Sequence, residues 1–275
     1  MAPGLGETAV VTGAASGIGL SIVKKFAGEH MRVVLADIDS DALNNAVQEV
    51  RDTGADVEGV VTDVSDVESV TRLRDAAKTK LGAIDVVVSN AGVMGFNDGH
   101  LWQASAADWE WTLGVNFGGG QNMLRVFLPD MVERDKGYFV ITSSIVATWS
   151  AGGLYGISKH ALLALGEALY GDLAGIKSNV GVSVLLPTGT VTNLFSGVHT
   201  PDRLADSVTP IGDRGSAIRS RLGTSVAEHG DHPDKVADKL LEGMRARQLY
   251  IPIGEGEDER TRARMQAILS HTNPA

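Results

Sequence analysis

One stretch decides the fold of this 275-residue chain: Thr8-Ala-Val-Val-Thr12-Gly-Ala-Ala-Ser-Gly17-Ile-Gly19. Its first five residues have the composition of a β-strand, and an amphipathic helical pattern follows the glycines. At such a turn the backbone N–H groups and the positive end of the helix dipole can hold a pyrophosphate. The spacing is GxxxGxG, and glycine permits both the tight turn and a close approach of the backbone to phosphate. The stretch therefore predicts a nucleotide-binding turn that opens an α/β domain.

Strand and helix patterns alternate along the rest of the chain. Several strands are continuous apolar runs, which is typical of parallel strands covered by helices on both faces. The pattern predicts an α/β fold: a single-domain, Rossmann-type, doubly wound parallel sheet of about seven strands with helices on both faces. The predicted strands are Ala9–Thr12, Arg32–Ala36, Val57–Thr62, Val86–Ser89, Tyr138–Thr142, Val180–Leu186 and Leu249–Ile253. Helices are predicted to begin near Ile18, Ser40, Asp66, Ala106, Gly156 and Pro233.

The domain prediction treats residues 1–275 as one dinucleotide-binding unit, with its ligand crevice at the carboxyl ends of the strands. A substrate loop or lid is expected at about 190–232, and a C-terminal helix at about 256–270. The arginine-rich stretch from Arg214 to Arg221 is interpreted as a solvated loop or helix face, because small residues dilute its charge.

Composition excludes several classes of protein. Hydrophobic residues make up 43% of the chain, enough for a large core, but no apolar run is long enough to span a membrane. A net charge of −10 disfavours nonspecific binding to nucleic acid. Because the chain has no cysteine, disulfides and thiolate metal sites are excluded, and no metal is expected. Since no secretory pattern is visible at the N-terminus, a cytoplasmic protein is the expectation.

A second informative stretch is Tyr155-Gly-Ile-Ser-Lys159, which lies in a run with helical periodicity. At positions i and i+4, the side chains of Tyr155 and Lys159 project from one helix face. A phenol has a pKa of about 10 and is a poor base at neutral pH, but a nearby ammonium lowers that pKa. We therefore expect Lys159 to lower the pKa of Tyr155 and so tune it for oxidising an alcohol or reducing a carbonyl.

Six separated motifs together identify a family resemblance. In chain order they are Thr12-Gly-Ala-Ala-Ser-Gly-Ile-Gly19, Ser89-Asn-Ala-Gly92, Asn116, Ser143-Ser144, Tyr155-x-x-x-Lys159 and Pro187-Thr-Gly-Thr-Val-Thr192. Their order and spacing resemble those of short-chain dehydrogenases/reductases, over nearly the whole chain. The set is similar to the compact one-domain branch of that family, whose members are NAD(P)-dependent oxidoreductases.

The resemblance implies four catalytic residues. Tyr155 is the expected acid/base, and Lys159 is expected both to lower its pKa and to hold the nicotinamide ribose. Asn116 matches a helix asparagine that supports a water linked to the lysine. Ser144 is the expected serine that orients the substrate oxygen, with Ser143 as the alternative, because the following loop is shorter than in relatives.

The resemblance also implies a cofactor site, and three positions predict NAD. Asp37, at the end of the second strand, can accept hydrogen bonds from ribose hydroxyls and would repel a 2′-phosphate. Neither Ile38 nor Ser16 supplies the positive charge that often marks an NADP site. The residues expected to bind the cofactor are Gly13, Ser16, Gly17, Ile18, Gly19, Asp37, Ile38, Asp63, Val64, Asn90, Ala91, Gly92, Tyr155, Lys159, Pro187, Thr190 and Thr192.

Two departures from the family pattern affect these expectations. Thr188 stands where relatives usually have glycine; Thr192 is the expected partner of the nicotinamide carboxamide, and Thr190 is the second candidate. The C-terminus lacks the glycine-rich tail that builds a tetramer face in many relatives. Association through the helices that carry Asn116 and Tyr155 is expected, as a homodimer or homotetramer. The ending resembles that of bacterial dehydrogenases acting on aryl or alicyclic alcohols.

Apolar side chains at the carboxyl edge of the sheet predict the substrate wall. They favour a hydrophobic aryl or alicyclic secondary alcohol or ketone, so the expected activity is hydride transfer between that substrate and nicotinamide C4. A sugar, steroid or other polyol remains the alternative substrate. An epimerase or dehydratase and a non-redox dinucleotide sensor are the competing classes. The predicted wall residues are Met94, Phe96, Val146, Trp149, Leu194, Phe195 and Val198.

Overall fold

The structure is a computed structural model that describes residues 7–96, 99–149, 153–195, 206–254 and 258–273. Seven strands in these ranges are β1 Thr8–Thr12, β2 Arg32–Asp37, β3 Val57–Val61, β4 Val86–Ser89, β5 Tyr138–Thr142, β6 Gly181–Leu186 and β7 Tyr250–Pro252. They form one parallel sheet in the order β3-β2-β1-β4-β5-β6-β7. The strand order reverses between β1 and β4, which creates the switch-point crevice expected of a doubly wound fold. The predicted fold class is confirmed.

Helices cover both faces of this sheet. Those within the described residues are α1 Gly17–Gly28, α2 Ser40–Arg51, α3 Val67–Leu81, α4 Ala106–Leu113, α5 Gly119–Glu133, α6 Gly153–Gly175, α7 Asp213–His229, α8 Pro233–Arg245 and α9 Asp258–Leu269. Asp39 and Asp66 begin α2 and α3 by accepting hydrogen bonds from the first free N–H groups of each helix. In the described ranges no helix combines the length and the apolar character needed to cross a bilayer.

Two apolar layers hold the sheet between the helices. Val11 packs on the side of α1, α2 and α8, while its neighbour Val10 packs on the side of α3, α5 and α6. Side chains of consecutive strand residues point to opposite faces, so a continuous apolar strand serves both layers. The crevice at the carboxyl ends of the strands is therefore framed by rigid, buried elements.

The helix predicted from Ala106 is interrupted by a π-helical turn at Gly114–Gly118, which separates α4 from α5. Asn116 lies in this turn and is buried. π-Turns are frequent at functional positions, since the extra residue redirects side chains. The redirected amide of Asn116 becomes part of the site.

Two C-terminal helices differ in how well the sequence predicted them. The structure has a helix, α9, within the expected range 256–270, whereas α7 covers a stretch of the lid for which a solvated loop or helix face was predicted. The interpretation of Arg214 to Arg221 as a solvated stretch is wrong at Arg219, which is 7% exposed. Its guanidinium reaches inward and donates to the carbonyl oxygen of Gly95 at 3.0 Å.

Candidate active site

The glycine turn between β1 and α1 is packed tightly against its surroundings. Gly13 and Gly17 have φ angles of 62° and 54°, which strain any residue with a side chain. A Cβ atom on Gly19 would lie 2.0 Å from the carbonyl oxygen of Gly13, so the site requires glycine. Ser16 makes no side-chain cap to α1, which leaves the first N–H groups of the helix for an anionic ligand.

The carboxylate of Asp37 is fixed beside this turn. Its Oδ2 accepts from the backbone N–H of Ala15 at 3.0 Å, and its Oδ1 accepts from that of Asp39 at 3.1 Å. Ile38 is exposed next to it. The geometry suits a carboxylate that accepts hydrogen bonds from ribose hydroxyls, and no cationic side chain occupies the position of Ile38.

The ends of β3 and β4 form the floor of the crevice. Oδ1 of Asp63 accepts from the backbone N–H of Ser65 at 2.9 Å and from its hydroxyl at 2.6 Å. The side-chain amide of Asn90 donates to the carbonyl oxygen of Thr12 at 3.0 Å, which ties β4 to β1. A Cβ atom on Gly13 would lie 2.8 Å from Cα of Ala91, so the glycine turn and the end of β4 meet directly.

A cavity of about 720 Å³ lies along this edge of the sheet, within the size range of ligand sites. Three of the predicted cofactor residues, Gly19, Pro187 and Thr190, are buried and do not border it. The predicted site residues that do border it are Gly13, Ser16, Gly17, Ile18, Asp37, Ile38, Asp63, Val64, Asn90, Ala91, Gly92, Tyr155, Lys159, Thr192 and Leu194.

Tyr155 and Lys159 border this cavity from α6. The Nζ atom of Lys159 lies over the Tyr155 ring, 5.5 Å from its centre, and donates to the carbonyl oxygen of Thr142 at 3.0 Å. Burial raises the pKa of Tyr155 to about 12, and the nearby Ser144 hydroxyl acts in the opposite direction. Burial also lowers the pKa of Lys159 to about 8.

The expectation that Lys159 lowers the pKa of Tyr155 is therefore wrong, because the pKa of the phenol is raised. The ammonium is directed at Thr142 and the ring face rather than at the phenolic oxygen. Removal of the phenolate from water then outweighs every favourable interaction.

The two candidate serines after β5 point in different directions. Ser144 lies near the Tyr155 phenol, whose pKa it acts to lower, and donates to the carbonyl oxygen of Pro187 at 3.3 Å. Ser143 instead donates to the backbone oxygen of Lys159 at 2.7 Å, on the other side of the strand end. The geometry favours Ser144 as the partner of Tyr155 and gives Ser143 a structural role.

Asn116 ties the loop after β4 to α6. Its Oδ1 accepts from the N–H of Val93 at 2.7 Å, and its Nδ2 donates to the hydroxyl of Ser158 at 2.8 Å. A Cβ atom on Gly92 would lie 3.2 Å from Oδ1 of Asn116 and 3.3 Å from Nζ of Lys159. The missing side chain of Gly92 thus lets the Asn116 amide and the Lys159 ammonium both lie next to its backbone. Support of a water by Asn116 stays a prediction.

The segment after β6 accommodates its departure from the family pattern. Thr188 packs against Gly254. A Cβ atom on Gly254 would lie 2.5 Å from Cγ2 of Thr188, so the glycine at 254 leaves room for the threonine at 188. The Thr190 hydroxyl donates back to the carbonyl oxygen of Thr188 at 3.1 Å. Thr192 contacts Gly17 closely and borders the cavity. The structure therefore favours Thr192 over Thr190 as the carboxamide partner.

Of the predicted substrate wall, Leu194 borders the cavity, and Val198 lies outside the described residues. Met94, Phe96, Val146, Trp149 and Phe195 do not border it. The Trp149 ring instead lies 4.6 Å below the guanidinium of Arg260 in α9. Trp149 therefore packs against α9 and does not line the cavity.

Several residues that line the cavity were not predicted from the sequence, Thr142 among them, and neither was Arg219, which does not line it. Thr142 borders the cavity and receives the Lys159 hydrogen bond; its place at the last position of β5 was the available signal. Arg219 reaches the loop after β4 from α7, and no local pattern distinguished it from its exposed neighbours. Tertiary contacts alone reveal it.

The parallel sheet, the glycine turn and the Tyr155–Lys159 pair define a dinucleotide-binding oxidoreductase. A family model described as short chain dehydrogenase matches residues 7–202, and the chain belongs to that family. A relative from Streptomyces exfoliatus, 1-deoxy-11-beta-hydroxypentalenate dehydrogenase, is 39% identical over 198 residues, 71% of each chain.

Solved structures show the same architecture. A short-chain dehydrogenase/reductase from Burkholderia phymatum in complex with NAD is 35% identical, with a TM-score of 0.93 over 98% of this chain and 96% of that one. A metagenomic short-chain oxidoreductase in complex with NADP is 26% identical, with a TM-score of 0.67 over 90% of this chain and 95% of that one. The family thus binds nicotinamide dinucleotides of both kinds.

Proposed function

We propose that this chain is an NAD-dependent oxidoreductase that transfers a hydride between nicotinamide C4 and a hydrophobic secondary alcohol or ketone, alicyclic or aryl. One observation carries the proposal: Tyr155 and Lys159 border the same cavity as Asp37. The hydroxyl of Ser144 lies near the Tyr155 phenol and acts to lower its pKa. Acid/base groups and a ribose acceptor therefore serve one ligand site. The dehydrogenase from Streptomyces exfoliatus, whose substrate name describes a hydroxylated compound, supports this substrate class.

Each residue has a distinct task in this proposal. The Tyr155 hydroxyl exchanges a proton with the substrate oxygen, and the Ser144 hydroxyl orients that oxygen. Lys159 binds the nicotinamide ribose, and Asn116 fixes the loop beside it. The bound nicotinamide would accept or supply the hydride. Burial of the Tyr155–Lys159 pair keeps bulk water away from the reacting groups.

The preference for NAD rests on the end of β2. Asp37 is negatively charged, held by two backbone N–H groups and followed by an apolar residue. A 2′-phosphate there would meet a carboxylate and no cation in the described surroundings of Ile38, which favours NAD. The NAD complex of the Burkholderia phymatum relative is consistent with this choice.

We also propose a cytoplasmic homodimer or homotetramer. Ile157 and Tyr170 are 40% and 50% exposed on α6, the helix that carries Tyr155. Both side chains lie on one of the two helices through which the family resemblance implies association. Sedimentation at micromolar concentration tests the assembly.

The function is tested by the rate of NAD reduction with a panel of alicyclic alcohols, 1-arylethanols and polyols. We expect the hydrophobic alcohols to be oxidised. Tyr155→Phe should oxidise them about 10²–10⁴-fold more slowly and still bind NAD. Tyr170→Phe, on the exposed side of the same helix, is the matched control and should keep the rate. A rate above about a tenth of wild type in Tyr155→Phe refutes the acid/base role. Preference for polyols refutes the substrate class.

A further inference from the structure

Arg219 is a buried cation for which the described residues supply no carboxylate. Its side chain is 7% exposed, and one terminal nitrogen donates to the carbonyl oxygen of Gly95 at 3.0 Å. The Nε atom is buried without a hydrogen-bond partner. A guanidinium stays charged in proteins and has five N–H donors, so its burial requires strong acceptors.

The surroundings of Arg219 belong to the substrate side of the site. On α7, Arg219, Gly223 and Val226 share one helix face. A Cβ atom on Gly223 would lie 3.8 Å from Cβ of Phe195, and one on Gly189 would lie 3.0 Å from Cγ2 of Val226. This face of α7 therefore rests on the segment that follows β6.

Arg219 spans from this segment to the loop after β4. Gly95 follows Gly92 and Val93, which border the cavity. The guanidinium is thus anchored between the two chain segments that flank the substrate end of the crevice. The Nε–H and a terminal N–H of a guanidinium together form the fork that binds a planar carboxylate. In Arg219 a terminal nitrogen is anchored to Gly95, and the Nε–H has no partner.

Because the chain is acidic overall, it is informative that no described carboxylate pairs with Arg219. With 34 acidic residues and 24 Lys and Arg, a counter-ion for a buried guanidinium was readily available. The buried carboxylate of Asp108, by comparison, accepts hydrogen bonds from Ser105 and Thr209, and the other buried unpartnered side-chain atoms of the described residues belong to uncharged groups. Burial lowers the pKa of Arg219, as expected for a cation held without an anion.

We propose that Arg219 binds a carboxylate group of the substrate, so that the enzyme acts on hydrophobic secondary alcohols that also bear a carboxylate. This inference rests on the proposed function and narrows its substrate class. Since Arg219 does not line the cavity and its Nε is buried, binding of the carboxylate requires α7 to move outward. The principal packing partner of α7 among the described elements is the short turn Asn193–Phe195, so such a shift leaves the sheet unchanged.

The test compares acids with their uncharged counterparts. The substrates are 4-hydroxycyclohexanecarboxylate and 4-(1-hydroxyethyl)benzoate, each paired with its methyl ester. The proteins are wild type, Arg219→Gln, Arg219→Lys and Arg221→Gln. Arg221 is exposed on the same helix, so its substitution removes the same charge without opening the buried site.

We expect wild type and Arg221→Gln to prefer the acids in kcat/KM. Arg219→Gln should lose about tenfold or more on the acids and little on the esters. Arg219→Lys should recover part of the preference, since it restores the charge but not the fork. Equal losses on acids and esters mean that Arg219 only supports the fold, and esters preferred by wild type overturn the inference while the proposed function stands.

A binding measurement separates this inference from the proposed function. Calorimetric titration with benzoate, in the presence of the dinucleotide, should give at least tenfold weaker binding to Arg219→Gln than to wild type and Arg221→Gln. If no alcohol is oxidised but this difference is found, the function is wrong and the carboxylate site stands. Equal benzoate affinities for all three proteins overturn the site.

Discussion

The Nζ atom of Lys159 lies 5.5 Å from the centre of the Tyr155 ring and donates to the backbone of Thr142, not to the phenolic oxygen. Lys159 is buried, Tyr155 is half-buried beside it, and each is displaced toward its neutral form. The pKa of Tyr155 is raised to about 12, and that of Lys159 is lowered to about 8. At neutral pH the phenol of Tyr155 is therefore protonated and can donate its proton to a substrate oxygen.

The buried lysine predicts how stability depends on pH. The pKa of Lys159 is about 8 in the folded chain and 10.5 in the unfolded reference. Between these values the unfolded chain binds more protons, so the free energy of unfolding rises with pH. The contribution is about 3 kcal/mol at most. Urea unfolding of the cofactor-free protein from pH 7.5 to about 10 should show this rise in wild type.

The matched variants are Lys159→Met, which should lose the rise, and Lys80→Met, which should retain it. Lys80 is exposed on α3, so its removal changes the net charge without changing a buried site. Parallel pH profiles for wild type and Lys159→Met would show that Lys159 is solvated in the free protein. The window ends near pH 10, where the unfolded tyrosines begin to ionise.

The backbone of the site was more predictable than its electrostatics. The strand ends and the glycine turn follow from local patterns, and they place Asp37 and Asn90 correctly at the crevice. The pKa of Tyr155 could not be predicted, because the direction in which Lys159 points and the degree of burial depend on tertiary packing. Arg219 was missed for the same reason: its sequence neighbours are exposed, and only the loop at Gly95 explains its burial.

The carboxylate of Asp37 predicts a cofactor switch. Replacing Asp37 by Ala and Ile38 by Arg should shift kcat/KM from NAD toward NADP, since it removes a repulsive charge and adds a phosphate partner. Asp37 also accepts from the N–H of Ala15, so the alanine change loosens the glycine turn. Asp37→Asn combined with Ile38→Arg keeps an acceptor there and is the cleaner variant. Equal kcat/KM for both cofactors in wild type would contradict the role of Asp37.

The close contact inside the glycine turn predicts a steric effect on cofactor binding. Gly19→Ala should destabilise the fold by at least about 2 kcal/mol and weaken NAD binding, because its methyl group would meet the Gly13 carbonyl. Gly28→Ala is the matched control at the other end of α1, where a Cβ atom has no neighbour within 4 Å. It should be neutral or slightly stabilising. Thermal unfolding and calorimetric NAD titration of both variants make the comparison.

The contact between Trp149 and α9 predicts how substrate size is set. The Thr148 hydroxyl lies 2.7 Å from that of Thr261, and Arg260 covers the Trp149 ring at 4.6 Å, so α9 holds the loop that follows Ser144. Trp149→Ala removes the ring and this cation–π contact, which should loosen the loop between Ser144 and Tyr155. We expect weaker kcat/KM for small alicyclic alcohols, improved values for bulkier aryl alcohols and a KM for NAD that changes little. Trp102→Ala is the control, since Trp102 is 81% exposed and should leave the size profile unchanged. An unchanged profile in Trp149→Ala would remove that residue, and α9 with it, from the control of substrate size.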